Sequence, residues 1–328
     1  MKKTDAAAIR RGPDWQRLRV KLCSRNTLIK ALWSVFRLIL LLGLSYVIFF
    51  PFLVKLSNVF MSKTDLFDSM VKFIPRDPSL DNLKFVFEAM DYPRTFANTL
   101  LLSLVCAALQ VIVACMSGYG LAKFQFRGKG VLFAFVVLSM LVPAQTIQMA
   151  SYVEFKYFDL FGLITLIRGK PVSMINTVSP MLFLSATGFA IKNGLYIFIM
   201  RQCFLGVPKE LSEAASVDGA GVFRTFFRIN MPSVRAMMVT IFLLAFSWQW
   251  LDTYYSSLYY PSYHVLPNMI DQVANYYSPE FGQLHNGSPL QSMYLNTAAV
   301  TVMFPLLILY FFTQKAFVQG IETSGIVG

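Results

Sequence analysis

The sequence predicts an all-α, polytopic membrane protein with about six transmembrane helices and one long polar loop late in the chain. Three observations predict it. Of 328 residues, 56% are hydrophobic and only 14% are charged, too apolar a balance for a water-soluble domain. Six apolar runs, at about 31–54, 95–122, 131–150, 181–204, 233–251 and 292–313, reach or approach the ~20 residues that a helix needs to cross the hydrocarbon core. Lys and Arg gather in segments that border these runs, which is the signal that orients membrane helices. A net charge of +12 would suit a nucleic-acid partner, but its placement beside apolar runs points to the lipid bilayer and to no nucleic acid.

Residues 1–30 carry nine Lys and Arg against Asp5 and Asp14, which places this end in the cytoplasm. Leu18, Leu22 and Leu28 interleave with the charges, so a helix on anionic lipid and an unstructured tail are both open. The first run reads as an uncleaved anchor, since about thirty polar residues precede it. Residues 55–94 balance six basic with six acidic side chains and are expected outside. The second run is uncharged and rich in small residues (Ser103, Ala107, Ala108, Ala114, Gly118), which permit close helix packing in lipid. The basic turn Lys123–Lys129 returns the chain to the cytoplasm.

The third run holds Pro143, Gln145 and Gln148. A proline at membrane depth frees a backbone carbonyl, so a kinked helix lining a path and an ordinary kink are both open. The fourth run carries Lys192-Asn193-Gly194 near its centre. An ammonium there costs at least ~2.5 kcal/mol on insertion scales. Either the helix proper begins near Gly194, with Lys192 at the mouth of a polar path, or Lys192 snorkels outward from a short helix. The fifth run ends in the aromatic stretch Trp248–Tyr260, in which Trp248 and Trp250 could form an interfacial belt or stack on a ligand. No Lys or Arg occurs between Arg235 and Lys315, so 252–291 is expected outside and the tail 317–328 inside. Cys23, Cys106, Cys115 and Cys203 form no CxxC pair, and His264 and His285 lack ligand spacing, which argues against a metal site.

The polar loop 205–232 is the most informative stretch. Pro208 can open a helix, acidic Glu210, Glu213 and Asp218 follow, and Gly219 and Gly221 interrupt it as capping glycines do. A second short piece is expected to set Val222, Phe226 and Ile229 on one side and Arg224 and Arg228 on the other. Ala214, Ala215 and Gly219 form a small-residue face that another protein could approach closely.

Glu213-Ala214-Ala215, then Gly219, then Ile229 and Met231-Pro232, resembles the EAA loop of ABC importer permeases. Met231 stands where that family usually has Leu. The Ser79–Phe87 segment resembles a short extracytoplasmic helix of carbohydrate permeases, and Lys123-Phe-Gln-Phe-Arg-Gly resembles their first cytoplasmic turn. The resemblance runs from the first run to the tail and points to the MalG-like permease subunit of carbohydrate importers. It implies a permease domain over 31–316, with the coupling loop 205–232 docking on an ATPase through Glu210, Glu213, Ala214, Ala215, Asp218, Gly219, Ile229 and Pro232. It further implies a second homologous permease, an ABC ATPase dimer, an extracytoplasmic solute-binding protein and a carbohydrate substrate. Candidate pathway residues are Lys192, Asn193, Gln145, Trp248 and Trp250, and Lys192 could contact an acidic sugar. The chain has no GxxxxGK[ST] phosphate loop. It is therefore expected to bind no cofactor and to be no enzyme, with ATP and Mg held by the partner ATPase. A self-contained ion-coupled secondary transporter is the alternative, and no matching halves or chain of buried acids favour it.

Overall fold

A computed structural model describes residues 25–190, 192–275, 277–278, 282–283 and 287–325. The chain divides into two units, Met1–Ser57 and Asn58–Gly328. Helix α1, Arg25–Phe60, makes up the described part of the first and runs a short way into the second.

The second unit is built on α3, Tyr92–Lys123. Its small residues do what lipid-embedded packing requires, since apolar burial alone gives helices no reason to associate there. Ala107 and Ala114 are fully buried, and the backbone at Gly118 touches α7, Asn193–Gly206. A Cβ on Gly118 would stand 2.8 Å from Met200 Cβ and 2.9 Å from the Arg201 nitrogen, so that crossing admits no side chain. Helices α6, Ser179–Thr187, and α9, Arg235–Trp250, also lie against α3, and α9 packs on the long final helix α11, Pro289–Gly325. The indole of Trp250 is buried and donates to the Val302 carbonyl at 3.0 Å, joining α9 to α11.

Outside the expected membrane layer, α2, Asp81–Ala89, forms where Ser79–Phe87 predicts a helix. Asn82 holds it in place by donating to the carbonyls of Asn58 and Met61 at 2.9 and 2.7 Å. Buried Asp65 accepts from the Arg76 and Asp77 amides and closes the preceding loop. Further along, α10, Leu266–Asn275, precedes a two-residue hairpin, Tyr277–Ser278 with Gly282–Gln283.

Three of the six apolar runs depart from simple spans. The third is two helices, α4 (Lys129–Leu141) and α5 (Ala144–Lys156), bent by 106°. Pro143 stands at the break, with no N–H to continue the ladder and a bias of its predecessor toward extended backbone. The fourth is interrupted between α6 and α7, so 181–204 is not one helix. The fifth is the single helix α9, which the end of the loop, Val222–Ser233, meets at a 76° bend, and the sixth continues as helix well past Thr313. Among the described residues three helices are long and apolar enough to cross a membrane, or five if each bent pair is one span.

Candidate functional site

The polar loop folds largely from its own signals. Pro208 precedes helix α8, Lys209–Val217, and Gly219 ends it in the left-handed region at φ +76°. Ala220 N donates to the Ala215 carbonyl at 2.9 Å and Gly219 N to the Ser216 carbonyl at 3.1 Å, which satisfies carbonyls the helix end leaves open. After Gly221 comes one turn, Val222–Thr225, then a π-turn, Phe226–Asn230, then Met231–Ser233 leading into α9.

The observed faces of the loop differ in part from those that helical spacing predicts. Phe226 is buried as expected, but Val222 is exposed and Ile229 only half-buried. Ala215 is also corrected: at 5% exposure it packs inward rather than presenting a small surface outward. Glu210, Glu213, Ala214, Asp218, Gly219 and Pro232 are exposed. Among them stand large apolar side chains, Leu211, Val217, Val222, Phe223 and Phe227; Phe223 is 78% and Val217 88% exposed.

The inner side of the loop is fastened to the helices. Lys123, at the foot of α3, donates to the Val207 carbonyl at 2.8 Å. Tyr119 packs on Phe226 and Phe204 with ring centroids 4.7 and 5.4 Å away. Buried Asn230 donates to Ser212 Oγ and to the Thr225 carbonyl, both at 3.3 Å, tying the π-turn to α8.

The pathway candidates separate. Lys192 caps the start of α7 at φ +62°, is exposed, and lies with its Nζ 5.1 Å from the Trp248 ring centroid. Trp248 is 51% exposed. Asn193 is fully buried, and neither of its amide atoms has a hydrogen-bond partner. Trp250 is corrected to a core residue, 1% exposed with its N–H engaged. Gln145 lies in α5, with its side chain outside the described residues, as do Cys23 and His285. The aromatic stretch splits likewise: Tyr259 and Tyr260 are buried. Asp252 accepts from the Tyr255 and Ser256 amides at 3.1 and 2.9 Å and so caps the helix Tyr254–Tyr259. Burial raises its carboxyl above the ordinary carboxylate range, against the opposing pull of those backbone donors.

With this geometry in place, comparison with known proteins is decisive. The sequence profile of the binding-protein-dependent transport system inner membrane component family matches residues 110–323, which include the whole loop. The chain belongs to that family. This permease is 27% identical over 288 residues to the maltodextrin transport system permease protein MalD of Streptococcus pneumoniae, covering 87% of this chain and 92% of MalD. It is 26% identical over 298 residues to the arabinooligosaccharides transport system permease protein AraQ of Halalkalibacterium halodurans, covering 88% and 96%. A solved structure of a bacterial ABC transporter that imports the acidic polysaccharide alginate shares the fold, with a TM-score of 0.71 and 18% identity over 90% of this chain and 98% of that one. The expected resemblance to carbohydrate-type importer permeases is thus met, as is the polytopic all-α class.

Three features of this permease escaped sequence reading. Asn230 is a polar link with no motif of its own, visible only once the π-turn is known. Tyr119 is one aromatic among many in an apolar run, and its partners lie more than eighty residues away. Phe223 and Phe227 look like buried residues by type, but both are exposed on one face of the loop.

Proposed function

We propose that this chain is one of two homologous permease subunits of an ATP-driven importer. In this reading it lines half of the path for a sugar or oligosaccharide that an extracytoplasmic binding protein delivers. Loop 205–232 receives an ATPase subunit, which alone binds ATP and Mg. Both termini lie in the cytoplasm. The relatives, a maltodextrin and an arabinooligosaccharide transport system permease, support the sugar class.

One observation carries the proposal. The loop exposes the apolar side chains Leu211, Val217, Phe223 and Phe227 and the acidic Glu210 and Glu213, while Lys123 and Tyr119 fasten it to α3 and α7. Exposed aromatics on a rigid support suit a partner interface better than water. Force applied to that surface reaches the membrane helices through Lys123–Val207 and the Tyr119–Phe204–Phe226 cluster, because packed interfaces move as units. ATP-driven closure of the partner would then tilt α7 and α9 and change the side to which the path opens.

The test is co-purification. Phe223→Asp, or Val217→Asp, should reduce the recovered ATPase subunit about tenfold or more, as loss of an interface anchor does. The amount of folded permease should stay unchanged. Undiminished ATPase recovery in both variants would overturn the docking role. Uptake driven by an ion gradient in liposomes lacking any ATPase would overturn the importer reading.

A further inference from the structure

The break in the fourth apolar run is built from residues that share one preference. Helix α6 ends at Gly188, in the left-handed region at φ +87°, and α7 begins at Asn193. Lys192 itself holds φ +62°, a conformation that a residue other than glycine adopts at a cost. From there α7 descends 14 residues to Gly206 at the top of the polar loop, about 20 Å at 1.5 Å per residue. Helix α9 ascends from Arg235 and reaches Trp248 after a similar distance of about 20 Å. Lys192 and Trp248 therefore stand at one depth, and the Nζ-to-ring distance of 5.1 Å agrees. Measured from the polar loop, that height is less than the ~30 Å thickness of a hydrocarbon core.

Each part favours negative charge. The α7 N-terminus carries the positive end of the helix dipole, while the N–H of its first residue, Asn193, donates to the Ala190 carbonyl at 3.0 Å. The ammonium of Lys192 has no carboxylate within ion-pairing distance among the described residues. An independent observation adds to this: the amide of Asn193 is fully buried with both its oxygen and its nitrogen unpartnered. Its nitrogen points into the break, 3.5 Å from where a Gly188 Cβ would lie. A buried amide orphaned at both atoms is costly in hydrocarbon and signals a polar group still to be met. Trp248, half exposed, offers a flat apolar face beside the cation.

We propose that the α6–α7 break is a binding site for a carbohydrate bearing a carboxylate. Lys192 takes the carboxylate at the positive end of the α7 dipole, Trp248 stacks on the sugar ring, and the Asn193 side chain pairs with a ring hydroxyl or a bridging water. The assignment rests on the importer reading for its physiological meaning, but the site can be tested without transport. The phosphate of a lipid headgroup is the other anion that could reach this ammonium.

The experiment is equilibrium binding of sodium glucuronate and of its uncharged methyl ester to the full purified transporter in nanodiscs. Quenching of tryptophan fluorescence gives the signal, with Trp248→Phe as the control for its source. The acid should bind about tenfold or more tightly than the ester, the scale of one charge-assisted contact. Lys192→Gln should abolish that ratio and Lys192→Arg should keep most of it, which separates charge from folding. Equal binding of acid and ester, binding of neither, or a ratio unchanged in Lys192→Gln would overturn the site. Exchanging phosphatidylglycerol for phosphatidylcholine should leave the ratio unchanged; a ratio that follows the lipid would assign Lys192 to a headgroup instead. Glucuronate binding without any ATP-driven sugar uptake would sink the importer reading and leave the site standing. ATP-driven uptake with equal binding of acid and ester would do the reverse.

Discussion

At Gly118 the absent side chain is what lets α3 and α7 touch. Gly118→Val would drive a branched side chain into the Met200 and Arg201 backbone, neither of which can yield like a flexible side-chain tip. We expect a loss of about 1–3 kcal/mol, read as lower thermal stability of the detergent-solubilised chain. Gly219 differs. Nothing stands within 4 Å of its hypothetical Cβ, so its requirement is conformational: φ +76° disfavours L-residues by about 1–2 kcal/mol. Gly219→Val should therefore weaken α8 and ATPase recovery together, whereas Gly219→Asn should keep most of both, since Asn tolerates that region. Equal damage from Val and Asn would mean that contact, not backbone, governs the position. Asn230→Leu should loosen α8 from the π-turn by removing two donated bonds, measured as faster amide exchange across Lys209–Val217.

Among the elements, the helix Leu163–Arg168 shows how a short piece depends on one ionisation state. Asp159 accepts from the Thr165 hydroxyl at 2.5 Å and from its amide at 2.6 Å, and these bonds hold its carboxyl below the ordinary range. A lowered folded-state value means that the cap is fully present above the unfolded carboxylate pKa and is lost as pH falls through the folded one. Protection of the Thr165 amide should drop on acidification across and below the ordinary carboxylate range, and Asp159→Asn should remove that pH dependence. The final helix depends on shape rather than charge. Gly320 packs against α9 at Ala236 and Thr240 with no room for a Cβ. Gly320→Val should push the last turns of α11 away from α9, seen as protease sensitivity confined to the C-terminal end.

At the scale of the whole molecule, the composition and the six runs made a polytopic membrane protein legible, because the length of an apolar run is set by bilayer thickness and survives any packing detail. The loop was legible for the same kind of reason: Pro208 and Gly219 act within a few residues of themselves, so the start and end of α8 stand where those residues place them. Topology follows from charge placement, and maleimide labelling of single cysteines at Lys170 and Arg224 should find opposite sides of the membrane, with Arg224 inside.

Periodicity could not show which apolar runs are straight. Pro143 hinted at the bend between α4 and α5, but not at its angle of 106°. Nor could it show that Phe223 and Phe227 face outward while Ala215 and Trp250 are buried. The family, the membrane class and the capping of the loop were determined by the sequence alone, since each rests on local chemistry or on total apolar length. The tertiary structure alone decided the faces. A side chain's exposure depends on neighbours from distant parts of the chain, as Lys192 meeting Trp248 across two helices shows.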